Sequence, residues 1–387
     1  MMQPSIETLF EQNVDRTNSN SIKWDKYKGR DILPMWVADS DFRVPDAITE
    51  ALHQHVDHGV FGYGSAPQRL TDLLVERMKQ RYNWQIEPDW IVYLPGLVCG
   101  INLSVRALTE SHQGVISPKP VYPPFMSAAK LAKRPLDVSP VRLLNHRWLM
   151  ALEQTDISAN AKLLLFCNPL NPGGTVYSRE ELESVLTFAE QHDLLVCSDE
   201  IHSDLILDEE KQHIPFASLN KSAEQRSVTL IAPSKTFNIA GLGASVAIIP
   251  NPALRRRFMK AKAGIVPEVN VLAFTAAQAA YEHCEPWLDL QLAFLRRHRD
   301  TLEQEINAMP YLTLEHIEAT YLAWIDASSL PVASPFKFFE QAGVGLSPGA
   351  DFGNSGFVRL NFACNSKTLS EALRRMRSAI EQLPATK

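Results

Sequence analysis

Cysteine is scarce and poorly placed for cross-linking. Cys99, Cys167, Cys197, Cys284 and Cys364 are odd in number, far apart and mostly set in apolar runs. That distribution argues against a disulfide framework or a zinc site and suits reduced, buried thiols in a cytosol. No apolar run approaches the roughly 20 residues that a membrane-spanning helix needs. The opening "MMQPSIETLFEQNVDR" has no basic stretch followed by an apolar one, so a soluble, cytoplasmic protein is expected, with no membrane segment. Net charge is only −6, which leaves no basic face for nucleic acid. Its local exceptions, "RRR" at Arg255–Arg257 and "RRHR" at Arg296–Arg299, read as solvated helix faces. Also missing are internal repeats, low-complexity tracts and a Walker sequence, and "GLGAS" after Lys235 lacks the third glycine of a dinucleotide fingerprint. In "HQHVDH" only His55 and His58 share a helix face, and with His53 they have no carboxylate in zinc spacing, so no metal is expected.

What is present is a chain of 387 residues, longer than single hydrophobic cores usually grow, which predicts two domains. Its middle alternates strand-like and helix-like segments. "WIVYL" (90–94), "GVISP" (114–118), "AKLLLFCNP" (161–169), "LLVCSDE" (194–200), "SVTLIAP" (227–233) and "ASVAIIP" (244–250) are near-continuous apolar runs. "LVCGINLSVRAL" and "SREELESVLTFAEQHD" have helical spacing, the second opened by a capping box between Ser178 and Glu181. Apolar strands separated by helices predict an α/β fold with a mostly parallel sheet covered on both faces. From about residue 285 the character changes to a long amphipathic helix (287–309) followed by α+β segments. The expected division is a large domain over 46–286 and a small one over 1–45 and 287–387, with the long helix between them.

Three predicted strands end in polar groups: Asn168 and Asn171 in "CNPLNPGG", Asp199 and His202 in "SDEIH", and Ser234 and Lys235 in "SKT". Ligands of open α/β sheets bind at the carboxyl ends of strands, so these groups are expected to share one crevice. Each has an ordinary reading alone: a turn at Asn171, a helix cap at Asp199, a surface cation at Lys235. Together they suit a carbonyl cofactor held as an imine on Lys235. Burial keeps the amine nucleophilic, and Asp199 holds a pyridine nitrogen protonated so that the ring accepts electrons. Asn171 and His202 are then candidates to hydrogen-bond the ring's phenolic oxygen.

The set "NPxNPGG", "SDEIHxDL", "PSKTFNIAGL" and "RLNFAC" resembles the class I/II aminotransferase-like enzymes of pyridoxal-phosphate fold type I, with matching spacings of 28 residues from Asn171 to Asp199 and 36 from Asp199 to Lys235. "ILPMWVADSDF" (32–42), "FGYG" (61–64) and His202 in "DEIH" are more similar to the MalY/PatB-type cystathionine β-lyases, since ordinary aminotransferases commonly have a tyrosine in place of His202. The resemblance implies pyridoxal 5′-phosphate bound to Lys235, Asp199 on the pyridine nitrogen and Tyr122 stacked on the ring. It also implies Arg359 on the substrate carboxylate beside Asn171, and Tyr63 reaching the phosphate of a partner subunit, hence a homodimer with sites at its interface. The Pro-Gly turn before "LVCGINL" would aim the Leu97 and Val98 N–H groups at the phosphate, with the hydroxyl of Ser234. One departure stands out: many aminotransferases carry an arginine eight residues after the lysine, where this chain has Gly243. The activity implied is β-elimination on a small L-amino acid with sulfur at Cβ, with Tyr122 or Lys235 protonating the leaving sulfur. The alternatives are transamination, and a regulatory binding protein with residual lyase activity.

Overall fold

The computed structural model describes residues 6–384. The first five residues of the 1–45 segment and the last three of 287–387 lie outside the described residues. No helix among them is long and apolar enough to cross a membrane.

An eight-stranded sheet forms the centre, in the spatial order Ile91–Leu94, Ser245–Ile248, Ser227–Ile231, Leu195–Asp199, Ala161–Cys167, Gly114–Lys119, Leu136–Leu144, Arg147–Met150. The five strands from Ser227–Ile231 to Leu136–Leu144 pair parallel, while Ile91–Leu94, Ser245–Ile248 and Arg147–Met150 attach antiparallel at the two sides. Helices cover both faces, so Leu163 to Phe166 are wholly inaccessible to solvent and their run needs no polar alternation. One helix has the capping box that the sequence announces. At Arg179–Gln191, Ser178 accepts from the Glu181 N–H and the Glu181 carboxylate accepts from the Ser178 N–H.

Beyond residue 285 comes the 23-residue helix Glu285–Asn307, then a four-stranded antiparallel sheet ordered Thr313–Leu314, Leu322–Asp326, Phe357–Asn361, Ser347–Pro348. The N-terminal segment returns to this part of the chain. Leu33–Pro34 pairs parallel with Val344–Gly345, and Phe10 packs on Phe42 and Phe294 with ring centroids 5.0 and 5.4 Å away. One expectation is corrected here. The "RRHR" stretch is only in part a solvated face: Arg297 is exposed, but His298 and Arg299 are buried. The helix packs against two layers at once, so Arg299 reaches the buried Asp208 at 2.5 Å and His298 lies against the Phe362 carbonyl at 3.2 Å.

Loss of the cap at Ser178 leaves helix N–H groups without an acceptor. Ser178→Ala is expected to lower unfolding free energy by about 1 kcal/mol, read as a shifted urea midpoint; an unchanged midpoint contradicts the role of that cap.

Candidate active site

Ala161–Cys167, Leu195–Asp199 and Ser227–Ile231 are adjacent and parallel, so their carboxyl ends open on the same side of the sheet. A cavity of about 420 Å³ lies there. Lys235, Asp199, Asn171, His202, Ser234, Leu97, Val98, Tyr122 and Arg359 all line it. Tyr63 and Asn168, also singled out in the sequence, do not; Tyr63 stands fully exposed on the segment between the helices Asp46–His58 and Gln68–Tyr82.

Lys235 belongs to the single helical turn Pro233–Thr236 that follows its strand. Its Nζ donates to the Ala38 carbonyl at 2.5 Å, an oxygen that also accepts from the Tyr321 hydroxyl at 3.1 Å. Burial pushes the ammonium down to about 8, with Asp39 opposing the shift and Arg359 adding to it. An amine so placed is neutral far more often near pH 7 than an ordinary lysine.

Asp199 closes the middle strand and is only 4 % exposed. Its side chain accepts one hydrogen bond, from the Ile201 N–H at 3.1 Å, and makes no ion pair among the described residues. Burial therefore raises it to about 7, against the weaker pull of Lys235. A cationic N–H donor brought into the cavity would restore the carboxylate. His202 is also buried, its Nδ1 without a partner, and burial followed by the charges of Lys235 and Arg359 lowers it to about 3. Its imidazole is neutral, with one nitrogen to donate and one to accept. Tyr122 is held beside them by its backbone N–H, which donates to the Asn171 carbonyl at 3.0 Å. Burial, then Asp199, raises its phenol.

Arg359 enters from the other sheet, at the centre of Phe357–Asn361 and opposite Ser347 and Trp324. Nη1 donates to Asn171 Oδ1 at 3.0 Å, and Nη2 to the Trp36 carbonyl at 2.8 Å and Ser347 Oγ at 3.3 Å. Nε has no partner, and Phe352 lies 4.6 Å from the guanidinium. No carboxylate pairs with it among the described residues, and burial depresses it to about 10 despite Tyr122, Tyr321 and Asp351. A buried guanidinium held only by neutral acceptors is a site for a visiting carboxylate.

Leu97 and Val98 begin the helix Leu97–Leu108, whose first-turn N–H groups have no acceptor within the helix. With Ser234 they line one end of the cavity, where N–H and O–H donors could receive an anion. The absence of arginine at Gly243 has a steric cause: Gly243 has φ +74°, and a Cβ there would lie 2.6 Å from the Pro95 carbonyl oxygen. The backbone passes too close for any side chain to stand there without strain.

Asn168 was expected among the converging groups but does not line the cavity. Its Oδ1 accepts from the Tyr177 N–H at 3.1 Å, which fixes the return of the chain toward the next helix. Nothing in the residue types marks Ala38 or Trp36 as partners, because they act through carbonyl oxygens, which every residue has. Ser347 and Asp351, in "GVGLSPGADFG", belong to a segment read only as secondary structure.

Residues 31–376 match the family described as aminotransferase class I and II. The chain is 37 % identical to cystathionine beta-lyase PatB of Bacillus subtilis (strain 168), over 96 % of this chain and 99 % of that one. Among solved structures it is similar to OvoB, with a TM-score of 0.95 and 55 % identity over 97 % of this chain and 100 % of that one. Cystalysin from Treponema denticola, which contains a pyridoxal 5′-phosphate cofactor, superposes with a TM-score of 0.92 at 31 % identity, over 97 % of this chain and 99 % of that one. Motif order, strand-end geometry and matches spanning nearly the whole chain agree: the protein belongs to the pyridoxal-phosphate-dependent class I and II aminotransferase family, in its MalY/PatB-like group.

Proposed function

We propose that the chain is a carbon–sulfur β-lyase that cleaves L-cystathionine or a related cysteine S-conjugate to a thiol, pyruvate and ammonia. The observation that carries this reading is a single cavity holding three mismatched buried charges: an amine lowered to about 8, a carboxylate raised to about 7 and a guanidinium lacking an anion. These residues fit pyridoxal phosphate and an amino acid, because each lacks the partner that one of the two would supply. The similarity to a cystathionine beta-lyase supports elimination over transamination.

Bound pyridoxal phosphate supplies an electron sink for the pair left behind when a Cα proton departs. Lys235 Nζ would hold the cofactor and, as a neutral amine, would take that proton. Asp199 accepts the N–H of the ring nitrogen and so keeps it cationic. The Leu97 and Val98 N–H groups and the Ser234 hydroxyl receive the phosphate, and Tyr122 covers the ring. Neutral His202 and the Nδ2 amide of Asn171 donate to the ring oxygen, while Asn171 Oδ1 helps hold Arg359 against the substrate carboxylate. Tyr122 or Lys235 returns a proton to the departing sulfur, after which water converts the three-carbon fragment to pyruvate and ammonia. We place the enzyme in the cytoplasm as a homodimer in which the exposed Tyr63 reaches the phosphate of the partner subunit's site. We place its domains at 46–286 and at 1–45 with 287–387, a division supported by the pairing of Leu33–Pro34 with Val344–Gly345.

Incubation with L-cystathionine should release pyruvate without a keto-acid acceptor; dependence on an acceptor would instead indicate transamination. Lys235→Ala is expected to abolish turnover and the yellow colour of the lysine-bound cofactor. Arg359→Ala keeps the colour and weakens substrate capture by about 2–5 kcal/mol, and unchanged kcat/KM in this variant removes Arg359 from its role. Cofactor-free protein should take up pyridoxal phosphate at a rate that rises with pH through about 8, rather than the 10.5 of an ordinary lysine. The sign follows from the neutral amine being the nucleophile, and a midpoint above 10 contradicts the desolvation of Lys235.

A further inference from the structure

With Lys235, Asp199 and Arg359 given roles, one carboxylate among the described residues lining the cavity remains without a task. Asp351 stands exposed at the lip, immediately before Phe352, whose ring packs on Arg359. It makes no hydrogen bond or ion pair among the described residues. Lys119, whose stem packs over Gly353, does not pair with it either. Asp351 is nevertheless close enough to Arg359 to oppose the depression of that guanidinium.

Its position is fixed by the backbone. Asp351 lies in the short turn Gly349–Phe352, where a Cβ on Gly349 would collide with the carbonyl oxygens of Asn354 and Phe357 and where Gly353 follows at φ +102°. The Phe352 carbonyl also accepts from the Val121 N–H at 3.3 Å, which ties the turn to the segment bearing Tyr122. A carboxylate on a braced turn beside a substrate clamp sets a fixed negative potential at the entrance.

We infer that Asp351 is a specificity-determining residue that selects cysteine S-conjugates whose sulfur substituent ends in a cationic N–H donor, such as an ammonium group. The inference rests on the lyase reading. Arg359 fixes the amino-acid end of the substrate, so the sulfur and its substituent are left to extend toward the open side of the cavity. A positive end meets the carboxylate there, and a carboxylate end is repelled. Because the lip is solvated, the interaction is screened by salt and affects capture rather than the chemical step.

The test uses holoenzyme and three S-substituted L-cysteines of equal length, with tails ending in ammonium, methyl or carboxylate. Affinities are measured by calorimetry on Lys235→Ala protein loaded with pyridoxal phosphate, with and without Asp351→Asn, and pyruvate release is followed in the Lys235 background. The expected order of affinity is ammonium, methyl, carboxylate. Asp351→Asn should reduce the ammonium-to-methyl ratio about three- to tenfold at low salt, leave the methyl compound within about twofold, and remove the salt dependence of the preference. In turnover the change should appear in KM and not in kcat. An unchanged ratio, or equal losses for all three tails, overturns the role of Asp351. Absence of pyruvate from all three compounds overturns the lyase reading, while the affinity series still decides Asp351.

Discussion

The removal of Lys235 and Asp199 from water is the constraint on which the site depends. Both groups sit where adjacent parallel strands end, and neither receives enough help from its neighbours to keep its ordinary pKa. Among the described residues Lys235 has a single carbonyl acceptor, and Asp199 a single backbone N–H donor. Desolvation therefore moves the amine down and the acid up, until both titrate near neutrality. A fold stabilised for its own sake would pair such charges. On the proposed reading they are left unmatched for a ring carrying an aldehyde and a basic nitrogen, which would supply what each lacks.

The same logic extends to the far side of the cavity. Arg359 is held by an amide, a carbonyl and a hydroxyl, which orient its fork without neutralising it. Trp36 and Ala38, on the N-terminal segment, supply carbonyls to Arg359 and Lys235 respectively. One extended strap therefore touches both the buried guanidinium and the buried amine. Its own anchorage is electrostatic: Asp39 and Asp41 just beyond it pair with Arg16 and with the buried Lys23. Any motion of this strap alters the surroundings of both cations together.

Much of the fold was legible because its signals are local. The apolar runs 161–169, 194–200 and 227–233 became parallel neighbours, as the slightly shorter strands Ala161–Cys167, Leu195–Asp199 and Ser227–Ile231. Ser178 and Glu181 formed the expected capping box. Legibility failed where a residue's environment comes from distant chain. His298 and Arg299 have the charge pattern of a solvated face, yet Phe362 and Asp208 bury them. Asn168 has the same strand-end position as Asn171, yet a hydrogen bond to Tyr177 turns it away from the cavity.

By itself the sequence determined the alternation of strands and helices, the residues at the strand ends, and through its motifs the family and its cofactor, because side-chain identity and short spacings are written in the chain. Tertiary structure alone decided which backbone carbonyls hold Lys235 and Arg359, why Gly243 excludes a side chain, and that Asp351 stands unpaired at the entrance. These depend on segments distant in sequence meeting within a few ångströms, and a carbonyl oxygen or a close backbone approach leaves no mark on residue type.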